Sequence, residues 1–188
     1  MPEHPVINKF LDLPKIKKPD NGREWVYCLR AETPSRVIKI GHSANLKWRL
    51  SGLQTQCPVQ LSLVGLFEGP AGSELVLHEA MAASRLHGEW FSESDQVRSL
   101  IKAMPKGEAI ESTDVLALVS PFGMSKASVY EIFLWAATWE KHRRKYEGKI
   151  TRADAARAMS GVNANNFEAT LREKISTFQL FGNRGSLC

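Results

Sequence analysis

Trp25-Val26-Tyr27-Cys28-Leu29, then Glu32-Thr33-Pro34-Ser35, then Val37-Ile38-Lys39-Ile40-Gly41: this stretch decides the fold. Two apolar runs separated by a polar break that contains proline read as two short strands joined by a turn. Downstream, Asn45 to Leu53 places Leu46, Leu50 and Leu53 on one helical face. Arg49, eight residues after Gly41, therefore rides on a helix that starts beside the second strand. Cys57-Pro58 marks a turn, and Val59 to Phe67 alternates at its start as a third strand. Glu68 to Gly72 is a turn with Ser73 as the expected N-cap of the next helix, so Glu74 falls in a first turn, where the dipole favours a carboxylate. Glu74 and His78, four residues apart, share a face. Ser92 to Asp95 caps a further helix with Val97, Leu100, Ile101 and Met104 inward.

This ordered series resembles the GIY-YIG nuclease superfamily, in particular its phage and mobile-element branch. The residues that carry the resemblance are Val26-Tyr27-Cys28, Lys39-Ile40-Gly41, Arg49, the Glu74-x-x-Leu77-His78 pattern and Gly88-Glu89-Trp90-Phe91. It covers roughly residues 24 to 104. The resemblance implies an α+β fold with a small three-stranded antiparallel sheet flanked by helices, and a divalent-metal-dependent endonuclease. It also implies roles. Glu74 would be the protein ligand of a Mg2+ (or Mn2+) ion, which commonly keeps several waters and binds few protein groups. Arg49 would lie along the phosphate oxygens, and Tyr27 would act as base or orient the attacking water. A phenol of pKa ~10 is a poor base at neutral pH unless cations lower that value, and Lys39 is placed on the adjacent strand to do so. Lys39 stands where much of the superfamily has Tyr, and His42 stands where a Lys commonly follows the glycine. His42 and His78 complete the candidate catalytic set, with Glu79 as a fallback ligand and Trp90 and Phe91 closing the core. Each of these residues has a plainer reading when taken alone: Tyr27 as core, Arg49 as a solvated cation, Glu74 as a helix-start acid.

Composition sets wider bounds. A chain of 188 residues, 43% hydrophobic, can bury one good core and a second small one. No N-terminal basic-then-apolar segment and no long apolar run is present, so a cytoplasmic protein without a membrane span is expected. Cys28, Cys57 and Cys188 are odd in number and form no CxxC pair, which indicates neither a disulfide framework nor a zinc knuckle. Residues 1–111 hold 14 Lys and Arg against 13 Asp and Glu, whereas residues 112–188 hold 11 against 7. The basic excess lies in the C-terminal part and suits a polyanionic partner, although it is small enough to occur without one.

The expected organisation is an N-terminal arm over residues 1–23, a nuclease-like domain over 24–104, a linker over 105–114 and a small mainly helical domain over 115–188. A long helix opens at Ser125, repeats Val129, Ile132, Phe133, Ala136 and Trp139 at helical spacing, and ends in Lys141 to Lys145. Ala155 to Asn163 followed by Asn166, Phe167 and Leu171 resembles a helix-turn-helix unit, with one residue more than usual before the turn glycine Gly161. An ordinary helical hairpin fits as well. In the helix-turn-helix reading, Asn163, Asn165, Asn166 and Arg172 face DNA, with Arg143, Arg144 and Lys145 as a further basic cluster. The functional expectation is a DNA endonuclease. Two alternatives stand beside it: a DNA-binding or interaction protein that keeps the fold without cleavage, and a C-terminal part that forms a homodimer through Ile132, Trp135 and Trp139.

Overall fold

Strand β1, Arg23–Ala31, alternates its side chains between two faces and is buried over almost its whole length. A strand buried on both sides belongs at the centre of a sheet, and β1 is flanked by antiparallel β2 (Val37–Ser43) and antiparallel β3 (Leu61–Pro70). The computed structural model describes Pro19 and residues 23–146, with side chains described through Ala137. Around the central strands lie helices α1 (Leu46–Gln56), α2 (Ser73–Ala80), α3 (Asp95–Ala103) and α4 (Ser112–Val119).

The α+β class is as expected, but the sheet is larger and mixed. Its order is β4-β5-β2-β1-β3-β6, six strands where three antiparallel ones were expected. The addition at one edge comes from the Gly-Glu-Trp-Phe segment. Strands β4 (Arg85–His87) and β5 (Trp90–Ser92) form a hairpin around Gly88, whose φ of +54° suits glycine. Lys39, Ile38 and Val37 of β2 pair with Trp90, Phe91 and Ser92 of β5, so the otherwise open edge of β2 is satisfied. Phe91 is fully buried there, and burial of such a side chain contributes roughly 1.5–3 kcal/mol. At the other edge β6, Lys106–Ala109, runs parallel to β3. The segment read as a linker thus carries a strand, and Ile110 N donates to Glu68 O at 2.8 Å. The chain divides into one unit ending at Ser125 and a second beginning at Lys126, which is later than the sequence division. The second unit opens with α5, Lys126–Tyr146.

The two faces of the sheet are covered differently. Trp25, Tyr27, Leu29 and Ala31 of β1 share a cluster with Leu46 and Leu50 of α1 and Leu61 of β3. Val26 and Cys28 point the other way, where α2 packs on β2 and α4, and α3 and α4 pack on β3. A bulge between Cys28 and Leu29 in the β1/β3 register shifts the pairing by one residue. Beside it, Gly65 leaves room for Met104, because a Cβ at Gly65 would lie 2.8 Å from the Met104 sulfur. Burial pushes the Cys28 thiol up to about 12, in keeping with its place as a strand residue of the core.

Candidate active site

Gly41 is the position from which the site is built. It pairs with Tyr27 across β1 and β2, and a Cβ on Gly41 would lie 2.5 Å from the Tyr27 hydroxyl and 2.6 Å from its Cζ. The phenol therefore lies flat over a backbone position that admits no side chain. From there the hydroxyl accepts a hydrogen bond from Arg49 Nε at 3.3 Å. The α1 helix sets Arg49 at that distance because Leu46 and Leu50 are buried in the core beside it and Asn45 caps the first turn, accepting from Trp48 N at 3.3 Å.

On the opposite face α2 presents two polar groups from inside the protein. Glu74 and His78 are each 3% exposed, so both must find partners within the fold. His42 Nδ1 meets Glu74 Oε2 at 2.5 Å. An ionised carboxylate only accepts, so His42 Nδ1 donates to Glu74, while His42 Nε2 lies 3.7 Å from Oε2 of the buried Glu24. Glu24 Oε1 accepts from Gly72 N at 3.1 Å, which ties the start of β1 to the residue that opens α2. His78 Nε2 donates to Ile40 O at 3.0 Å and lies 3.6 Å from Glu74 Oε1. The helix start differs from the sequence reading. Gly72, with φ of 100°, is the N-cap, while the Ser73 hydroxyl donates to Pro70 O at 2.7 Å and shapes the preceding turn.

Residues 24–105 match the T5orf172 domain. This is a phage-associated domain related to GIY-YIG/HNH-like nucleases, and it indicates a nuclease-like or DNA-binding function. The T5orf172 match spans β1 through α3 and thus every group of the site, and it leaves β6, α4 and α5 outside. No curated protein and no solved structure matches the chain. No helix among the described residues is long and apolar enough to cross a membrane.

Electrostatics bind the two faces of the site into one field. Burial raises the Tyr27 pKa above its ordinary value of 10.0, outweighing the lowering by Arg49's hydrogen bond and charge, with the Glu89 and Glu74 carboxylates adding to the rise. Tyr27 is a neutral phenol at physiological pH. Burial acts to lower Arg49, but the hydrogen bond and charge of Tyr27 and the charges of Glu89 and Glu74 outweigh it and keep the guanidinium firmly protonated. Burial lowers His78 below 6.5 despite the opposing charge of Glu74, so its imidazole is neutral. The expectation that Lys39 lowers the Tyr27 pKa is corrected. Lys39 is buried in an ion pair with Glu89 and lies 5.5 Å from the centre of the Trp90 ring. Its charge is spent within that pairing.

Of the sequence candidates, Tyr27 and Arg49 are in direct contact, as are His42 and Glu74, with His78 close by. Lys39 stands apart with Glu89, and Glu79 is exposed on the far side of α2. Two participants were missed. Glu24 was legible only as an acid inside an apolar strand, sharing a face with Val26 and Cys28. Glu89 entered the sequence reading only as part of the Gly-Glu-Trp-Phe segment, yet it is the counter-ion of Lys39. Arg143, Arg144 and Lys145 lie in α5 with side chains outside the described residues, and Asn163, Asn165, Asn166 and Arg172 lie outside them altogether. On α5, Ile132 is half-buried and Trp135 buried.

A hard divalent ion can be tested against these donors. Glu74 Oε2 lies 2.5 Å from His42 Nδ1, and Oε1 lies 3.6 Å from His78 Nε2. Among the described residues no group of three or more His, Cys, Asp or Glu is arranged to hold a metal. A single carboxylate of this kind could serve only an ion that keeps most of its water, and not a fully protein-coordinated one.

Proposed function

We propose that the chain is a divalent-metal-dependent DNA endonuclease of the GIY-YIG kind, hydrolysing phosphodiester bonds. The observation that carries this reading is that the Tyr27–Arg49 contact and the Glu74–His42 contact rise from neighbouring positions of β1 and β2, Gly41 and His42, with the Glu74 charge acting on both Tyr27 and Arg49. Glu74 would hold Mg2+ or Mn2+, which when bound would neutralise phosphate charge and stabilise the leaving oxygen. Arg49 has its Nε on Tyr27, so its two Nη groups are the ones that would lie along the non-bridging oxygens, with the planar fork suited to a phosphate. Tyr27, a protonated phenol, orients Arg49 and a water and does not accept the proton itself. That duty falls to His42. Its ring is held between the Glu74 and Glu24 carboxylates, which would stabilise the imidazolium formed when it takes a proton, and the side chain is 34% exposed. His78 braces Glu74 from inside by fixing the helix to Ile40 of β2. DNA is the partner, with the basic C-terminal part adding phosphate contacts that position the chain without reading sequence.

A DNA-binding protein on the same fold, with little or no cleavage, is the second reading. It is favoured by the Lys39–Glu89 pairing, which removes a cation from the site, and by the raised Tyr27 pKa. Incubation of the full chain with supercoiled plasmid and Mg2+, with EDTA and Glu74→Gln in parallel, separates the two. Nicked or linear product is expected from the wild type with metal only, with a loss on the order of 10²–10³-fold or more in Glu74→Gln. Intact binding with no metal-dependent cleavage by the wild type would leave the binding protein.

A further inference from the structure

Helix α1 carries Trp48, which is 75% exposed, immediately before the site residue Arg49. An indole ring left this far in water is costly, and it is the most exposed large hydrophobic side chain among the described residues. Its helical neighbours are small on every side. Asn45, the N-cap, precedes it by three residues, and Ser51 and Gly52 follow it by three and four. A Cβ on Gly52 would meet nothing within 4 Å. Helical side chains lean toward the N-terminus, so a residue at 52 would lie over the turn that holds Trp48. Glycine there weakens the helix, and what it leaves is a clear flank to the indole. Charge agrees with this: α1 contains Lys47 and Arg49 and no acid, whereas α2, α3 and α4 each carry at least one Asp or Glu.

We infer that Trp48 is a stacking platform for an unstacked base of the DNA strand whose phosphate Arg49 receives. Resting on the endonuclease reading above, this deepens it by naming a substrate class: DNA containing a single-stranded or extrahelical base. Away from its ends a matched duplex covers both faces of every base, so within such DNA an exposed indole stacks on a base that has left the stack. The roots of the two side chains are about 3.8 Å apart along the chain, which places phosphate and base contacts on adjacent residues. Lys47, on the other side of Trp48, adds a second cation for the backbone.

The test uses the full-length chain in EDTA, so that binding is read without cleavage. Fluorescence anisotropy is followed with three labelled DNA probes: a matched duplex, the same duplex with one bulged nucleotide, and the single strand. The wild type is expected to bind the bulged and single-stranded probes more tightly than the matched one. Trp48→Ala is expected to lose about tenfold on those two probes and little on the duplex, and Trp48→Phe to retain most of the preference. Gly52→Leu, which enters open space on a helix and improves helix propensity, is expected to erode the same preference by covering the ring. An unchanged preference in both Trp48→Ala and Gly52→Leu would overturn the proposal. So would a change in oligomeric state of Trp48→Ala with its DNA binding unaltered, which would make the indole a protein contact. A Trp48-dependent preference in a protein that cuts no DNA with Mg2+ would keep this inference and sink the endonuclease alone.

Discussion

Helices α1 and α2 lie against opposite faces of one sheet and are built on opposite plans. Of the eleven residues of α1 only Leu46 and Leu50 are buried, while seven of the eight residues of α2 are buried, among them Glu74 and His78. The buried helix holds its polar groups with fixed partners, His42, Ile40 and the Gly72 turn. The exposed helix offers Arg49 and Trp48 to what lies outside. A carboxylate that must keep one position gains from being surrounded by protein, whereas groups that meet a substrate must be reachable. The division between α2 and α1 is a division between these two requirements.

The contrast can be broken at several strengths. Leu77→Ala on α2 removes a fully buried side chain and is expected to cost about 2–5 kcal/mol in denaturant unfolding; a cost near that of the half-buried Leu53→Ala on α1 would erase the distinction. A smaller effect comes from pH. Burial holds the His78 pKa below 6.5, so as pH falls past that value the unfolded chain takes up a proton that the folded one refuses. Stability is then full above the ordinary imidazole value and is lost as pH drops toward the folded pKa, with a slope of at most about 1.4 kcal/mol per pH unit from this group. His78→Gln should flatten that part of the curve, and an unaltered slope would assign the dependence to other groups. The smallest expected effect is a gain. Gly52→Ala adds a Cβ into open space in a helix and should stabilise by roughly 0.5–1 kcal/mol, measured as a raised Tm. A loss of stability there would mean that α1 is more closely packed than its exposure implies.

Much of this was legible in the chain itself. The strands β1, β2 and β3 have runs long enough to carry a pattern, and Leu46, Leu50 and the Ser94 cap marked α1 and α3. The short strands were not legible, because Arg85–His87 and Lys106–Ala109 have only three and four residues, and the latter is exposed throughout with a glycine at φ +77°. Such segments become strands only because a neighbouring edge has unpaired backbone groups, and that is a fact of tertiary structure. In the site, Tyr27, Arg49, His42, Glu74 and His78 could be named from their order along the chain. Their grouping could not be read so fully. Lys39 looked like a cation for Tyr27 until the β4–β5 hairpin brought Glu89 against it, and Glu24 gained its place only through the turn before α2.

The borders of the sheet carry a further consequence, for the behaviour of the protein in concentrated solution. At one border β4 offers three residues, beginning with Arg85, and at the other β6 offers four, among them Lys106 and Glu108. Strands so short and so charged give another chain little to zip onto, while the long apolar ribbons β1, β2 and β3 are each paired on both sides. Loss of the β4–β5 hairpin would bare the Val37–Ile40 edge and with it a template for self-association.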